Sequence, residues 1–215
     1  MRQRITSGWP FVIAMLVAGL VAVSVISCSS EPSNEADNET KRISLVTTIY
    51  PLAYFAERIG RGLVEVTNLV APGVEAHDFE PAPSDMRTMG KADVIVYNGL
   101  GFEPWIDRAL SGLSEGPGIV VEAGQDLAEA SDGKVDPHVW LDPTKAAKQV
   151  ERIRDAFIKV KPESKNVFES NARIVIEELS NLDSEFKAGV LNCRLDTFVA
   201  AHAAFGHLAN RHGLV

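Results

Sequence analysis

From residue 43 onward the chain alternates short apolar runs with amphipathic stretches. Ile43 to Ile49 (ISLVTTI), Leu63 to Val70, Ala92 to Tyr97 and Gly118 to Glu122 read as strands. Between them, helices are predicted near Leu52 to Ile59, closed by Gly60, from Ser84 to Gly90, and near Glu103 to Leu110. Strands that are apolar on both faces and separated by helices predict an α/β fold whose parallel sheet is covered on both sides. In such sheets ligands collect outside the carboxyl ends of the strands.

Two longer helices follow, each with a one-sided apolar stripe. Ala146, Val150, Ile153, Phe157 and Val160 mark the first; Phe168, Ala172, Val175, Leu179, Leu182 and Phe186 mark the second. The second stripe predicts a helix from about Pro162 to Gly189 with a continuous buried seam, roughly 40 Å long at 1.5 Å per residue. Such a helix can brace two lobes. A new unit then begins, with a strand at Asp196 to Ala201 and a helix at Ala203 to Arg211. Below about 40 residues a unit rarely encloses its own core, so this one is expected to be the start of a truncated second lobe.

Before the sheet lies a different kind of segment. Arg2 and Arg4 precede an uncharged run from Phe11 to Ile26, the pattern of an export signal. The run is shorter than the roughly 20 apolar residues that span a bilayer. Its end, Val25-Ile26-Ser27-Cys28, resembles a bacterial lipobox, which predicts cleavage before Cys28 and lipid attachment there. Ser29 to Arg42 is polar, acidic and free of aromatics, and reads as a flexible tether. The expected division is therefore 1–27 signal, 28–42 tether, 43–142 N-terminal α/β lobe, 143–190 helix pair and 191–215 start of a second lobe.

Charge narrows the partners. The formal net charge is −8, and removal of a signal carrying two arginines and no acids takes it to −10. Nucleic acid is excluded as an expected partner. Cys193 is the only cysteine after Cys28, and reads either as a buried apolar filler or as half of a pair whose other member lies elsewhere.

Three histidines supply the candidate chemistry: His77 in GVEAHDFEP, His138 in DPHVWLDP and His202 in VAAHAAFGHLA. The first two follow predicted strands and the third ends one, where a ligand site is expected. Three neutral imidazoles converging from separate loops suit a borderline ion such as zinc. Each alone could equally be exposed or bonded to the backbone. His202, His207 and His212 are five apart, hence about 140° apart around a helix, and cannot chelate together. His207 and His212 are expected at the surface or at helix ends. Asp142 before Pro143 reads as a helix N-cap. Asp78, Glu80 and Asp136 could orient imidazoles or serve their own turns. Glu75 has no assigned role. Gly99-Leu100-Gly101 lacks the third glycine of a dinucleotide fingerprint, with Pro104 in its place.

The segments VTTIYPLAYFAERIG, NLVAPGVEAHDFEPAPSDM, KADVIVYNGLGFEPWID, DPHVWLDP and AAHAAFGHLANRHGL, in this order, resemble the zinc and manganese solute-binding proteins of bacterial ABC transporters, the ZnuA-like group also called cluster A-I. The resemblance implies two Rossmann-like α/β lobes joined by a long backbone helix, with the metal in the cleft between them. Its histidine ligands match His77 and His138, and its third ligand position matches His202. Manganese carriers of the group generally have glutamate there, so histidine favours Zn(2+), with Mn(2+) as the competing ion. A fourth, carboxylate ligand is implied beyond Val215. The histidine-rich loop of some zinc members is missing, since GQDLAEASDGKV before Asp136 contains no histidine. The implied activity is capture of a divalent ion and delivery to an ABC permease by a lipid-anchored monomer, with no catalysis. A three-histidine zinc hydrolase and a surface adhesin are the rival readings.

Overall fold

The computed structural model describes residues 41–215 apart from 114–115, 117, 129 and 131–133. The expected signal, the lipobox cysteine and nearly all of the tether lie outside the described residues. The apolar runs form β1 (Ile43–Thr47), β2 (Val64–Asn68), β3 (Val94–Tyr97) and β4 (Ile119–Glu122). All neighbours pair in parallel, in the order β2-β1-β3-β4. The helices are α1 (Tyr50–Gly60), α2 (Pro83–Met89), α3 (Ile106–Ser111), α4 (Pro143–Val160), α5 (Lys165–Val190) and α6 (Gly206–His212).

Side chains alternate across a strand, and this alternation divides the core in two. Ile43, Leu45, Val94 and Val96 face α1, α4 and α5, where Leu52, Phe55, Ile59, Ile153, Phe157 and Phe168 complete one cluster. Val46 and Ile95 point the other way, onto Met89, Trp105, Ile106 and Ala109 of the α2 and α3 side. The central strands β1 and β3 are covered on both faces, whereas the edge strands expose Glu65 and Thr67 of β2 and Val120 of β4. Because β2 and β3 lie on opposite sides of β1, the connections diverge at the carboxyl ends of β1 and β3 and open a crevice there.

A buried polar network shapes the crevice floor. Glu103 is buried, and its carboxylate accepts hydrogen bonds from Thr48 Oγ1 (2.6 Å), Asn98 N (2.8 Å) and Gly99 N (2.9 Å). Burial pushes its carboxyl above the usual 4.5, against the pull of those hydrogen bonds. This is why α3 starts at Ile106 and not at Glu103: the acid turns back into the loop it holds. That loop has three successive positive φ angles, at Gly99 (80°), Leu100 (57°) and Gly101 (78°). A side chain at Gly99 would also run into the Glu122 carboxylate. Asn98 Nδ2 then donates to Pro137 O (2.9 Å) while Gln149 Nε2 donates to Asn98 Oδ1 (3.1 Å), tying the end of β3 to the segment before His138 and to α4.

Asp142 caps α4, accepting from Thr144 N (2.9 Å) and Thr144 Oγ1 (2.7 Å) with Pro143 beside it. The 26 residues of α5 extend about 39 Å. Its seam is only half covered. Phe168, Ala172 and Val175 are buried, whereas Leu182 and Phe186 are 42% and 37% exposed. A helical period reports which side chains share a face; it does not report how far along that face a neighbour extends.

The strand expected at Asp196 to Ala201 does not form. Phe198 N instead donates to Val215 O (3.0 Å) and Val215 N to Asp196 O (2.7 Å). α6 starts three residues later than expected and stops at Gly213, whose φ of 68° is a left-handed cap. Cys193 is exposed, with its Sγ 3.4 Å from Gly189 O, so it is not a buried filler.

Two outcomes follow. In urea unfolding, Phe168→Ala costs about 3–5 kcal/mol, while Phe186→Ala, farther along the same stripe, costs about 1 kcal/mol or less. Equal losses would contradict the half-covered seam. For Glu103, the folded carboxyl keeps its proton to higher pH than the unfolded chain does, so stability falls as pH rises from 4.5 through the raised folded value. The melting temperature of wild type relative to Glu103→Gln therefore declines across that window. A relative gain with pH would contradict it.

Candidate metal centre

His77 sits in the connection between β2 and α2, with its ring against Phe102 (centroids 4.3 Å apart) and its backbone N–H donating to Glu75 Oε1 (3.3 Å). His138 lies in the connection between β4 and α4 and is 6% exposed. Its ring meets Phe102 at 5.9 Å and Trp140 at 5.4 Å, in edge-on contacts. His202 lies between α5 and α6 and is exposed. The ring centroids are 5.5 Å (77 to 138), 5.7 Å (77 to 202) and 5.0 Å (138 to 202) apart. One nitrogen from each lies within 4.8 Å of the other two.

Hydrogen bonding fixes the chemistry of the buried member. Asp136 Oδ1 accepts from both His138 N (3.0 Å) and His138 Nδ1 (2.7 Å). A carboxylate only accepts, so Nδ1 carries the hydrogen and Nε2 is left with its lone pair. That lone pair faces His202 Nε2 at 3.1 Å. One proton can bridge such a pair, and so can a cation. Nitrogens at 2.0–2.1 Å from a tetrahedral ion stand about 3.3 Å from each other, close to the separation already present. A carboxylate holding the far nitrogen of a ligating imidazole is common at metal sites because it orients the ring and raises its basicity.

The neighbouring acids have separate tasks. Glu80 accepts from Arg108 NH2 (2.6 Å), and Asp142 caps α4. Neither orients an imidazole. His207 and His212 stand apart from the cluster, as their spacing requires, and lie at the two ends of α6 as expected, but they are not surface residues: their side chains are 11% and 2% exposed. His207 bonds to Asp136 O and Lys145 (both 2.8 Å), and His212 stacks on Phe186 at 5.4 Å. The five-residue spacing forbids shared chelation and is silent on burial. Phe102, Trp140, Asn98 and Glu103 carry the site without having been singled out. The signal was the Gly99-Leu100-Gly101 turn, which is a backbone device for this loop and not a phosphate cradle.

Comparison with known proteins gives the same direction. A family profile described as ZnuA, zinc-uptake complex component A, periplasmic, matches residues 45–215. The high-affinity zinc uptake system protein ZnuA of Bacillus subtilis (strain 168) is 32% identical over 207 residues, covering 88% of this chain and 65% of that protein. The zinc-binding lipoprotein AdcA of Streptococcus pneumoniae (strain ATCC BAA-255 / R6) is 32% identical over 218 residues, covering 94% of this chain and 42% of that protein. The crystal structure of Zn(II)-bound AdcA from Streptococcus pneumoniae superposes with a TM-score of 0.75 at 34% identity, over 80% of this chain and 38% of that one. This chain thus spans less than two thirds of the length of these relatives. With the parallel sheet, the long α5 and a family match that runs from β1 to Val215, this chain belongs to the ZnuA family.

Proposed function

We propose that this chain carries the metal-capturing part of an extracytoplasmic zinc-binding protein. A single Zn(2+) ion is its cargo, held by His77, His138 and His202 and delivered to the membrane permease of an ABC transporter. One observation carries this reading: three imidazole nitrogens from three separate connections lie within 4.8 Å of one another. Residues 43–142 supply His77 and His138, 143–190 brace them, and 191–215 supply His202 as the start of a second lobe.

An all-imidazole set is better matched to zinc than to manganese, which prefers oxygen ligands. The names of the relatives, a zinc uptake system protein and a zinc-binding lipoprotein, point the same way. Three acids around the crevice already have partners, Asp136 with His138, Glu103 with its loop and Asp142 with its helix, which leaves them unsuited to serve as a hydrolytic base. A hydrolase needs a base free to act on a metal-bound water. Of the three rings, His138 is buried, His77 half-buried and His202 exposed. Lipid anchoring at Cys28 outside the cell membrane, and action as a monomer, complete the reading. The anchoring rests on the lipobox-like junction, the lipoprotein name of AdcA and the periplasmic description of the family.

Competition titration of zinc against a chelator tests the site. His77→Ala, His138→Ala and His202→Ala each weaken binding by at least about 10-fold, or about 1.4 kcal/mol. Three variants indistinguishable from wild type would reject it. Asp136→Asn, which removes the charge behind His138 while keeping the side-chain shape, weakens binding by roughly 10–100-fold in the same titration. Unchanged affinity would mean that the Asp136 to His138 bond contributes nothing to coordination.

A further inference from the structure

His207 touches none of the three rings, yet it lies between the two segments that bear His138 and His202. Its Nδ1 is 2.8 Å from Lys145 Nζ on α4, and its Nε2 is 2.8 Å from the carbonyl oxygen of Asp136. These partners admit one assignment. Lysine ammonium only donates and a carbonyl only accepts, so Nδ1 accepts from Lys145 and Nε2 carries the hydrogen given to Asp136. The residue thus anchored by its carbonyl is the one whose carboxylate holds His138 Nδ1 at 2.7 Å. Polar contacts therefore run without a break from α4 through α6 to the lone pair of His138.

A second observation is independent of that chain. Gly206 lies so close to Asp136 that a Cβ there would come within 2.7 Å of Asp136 Oδ2. The other oxygen of that carboxylate is engaged by His138, so the group cannot move aside without disturbing the imidazole. The start of α6 is pressed onto the Asp136 side chain, and glycine is what permits the approach. At its far end α6 is held separately, by Arg211 donating twice to Asp183 (2.8 and 2.7 Å) and by the stacking of His212 on Phe186. A cleft of about 390 Å³ opens along the contact with Asp136, lined by Lys134, Asp136, His138, Ala203, His207 and Asn210 among others.

We infer that His207 is a positioning residue that clamps the segment bearing His202 onto the segment bearing His138, with Lys145 setting its tautomer and Gly206 admitting the contact. The inference rests on the zinc reading above. His207 and His202 are five residues apart, so anchoring the first to Asp136 limits how far the second can swing from His138. The clamp holds the 3.1 Å separation between the two Nε2 atoms and so raises metal affinity without contacting the ion.

The test is zinc competition titration of the full chain with wild type, His138→Ala, His207→Ala, His207→Gln, Lys145→Met and Gly206→Ala, alongside visible spectra of the cobalt(II)-loaded forms. His207→Ala and Gly206→Ala are expected to weaken zinc by about 10-fold, the scale seen when an outer partner of a ligating histidine is lost. Both should alter the cobalt bands. His207→Gln keeps an N–H donor for Asp136 and an acceptor for Lys145, and should restore affinity to within about 3-fold of wild type. Lys145→Met frees the tautomer and should cost less than His207→Ala. Weak binding by His138→Ala with both His207→Ala and Gly206→Ala within twofold of wild type would overturn the clamp alone. A glutamine variant as weak as alanine would overturn it too, by showing that packing and not the hydrogen bond matters. A wild type that binds no zinc, or His138→Ala binding as wild type does, would remove the zinc reading and the clamp with it.

Discussion

Two imidazole nitrogens whose lone pairs meet at 3.1 Å repel unless a proton or a cation stands between them. Holding His138 Nε2 against His202 Nε2 at that distance, with His77 close by, is the constraint the rest of the structure serves. The parallel order β2-β1-β3-β4 opens a crevice at the carboxyl ends of its central strands. Phe102 and Trp140 give the rings an apolar wall, and Asp136 decides which nitrogen of His138 is bare. Three hydrogen bonds offset part of the cost of burying Glu103 and keep the wall loop in its left-handed turn.

His138 is the most deeply set of the three rings. His138 is tied through Asp136, and the segment before it is tied through Pro137, Asn98 and Gln149 into the core between sheet and α4. His202 belongs to a stretch with no paired strand and considerable exposed apolar surface.

Much of this was legible from the residues themselves. The unbroken apolar runs of β1 and β3 are what a two-sided parallel sheet requires, and Asp142-Pro143 announces a helix start in local chemistry alone. His77, His138 and His202 stand out because each lies at a predicted strand end inside a turn-rich cluster. What stayed hidden depends on distant partners. Nothing local in Glu103 says that its carboxylate turns onto Thr48, 55 positions earlier. The period of α5 defines a face but does not say which neighbour each part of that face meets. His207 and His212 look like surface residues on a short polar helix until that helix is set against Asp136 and Phe186.

Zinc K-edge X-ray absorption on the chain loaded with one equivalent of zinc tests the central claim most directly, because it counts and identifies the donors around the ion. The account predicts a first shell at about 2.0–2.1 Å dominated by nitrogen, with the outer-shell scattering of three imidazoles that falls to two in His202→Ala. A shell of oxygen alone, or an imidazole count that none of the three histidine substitutions changes, would contradict it.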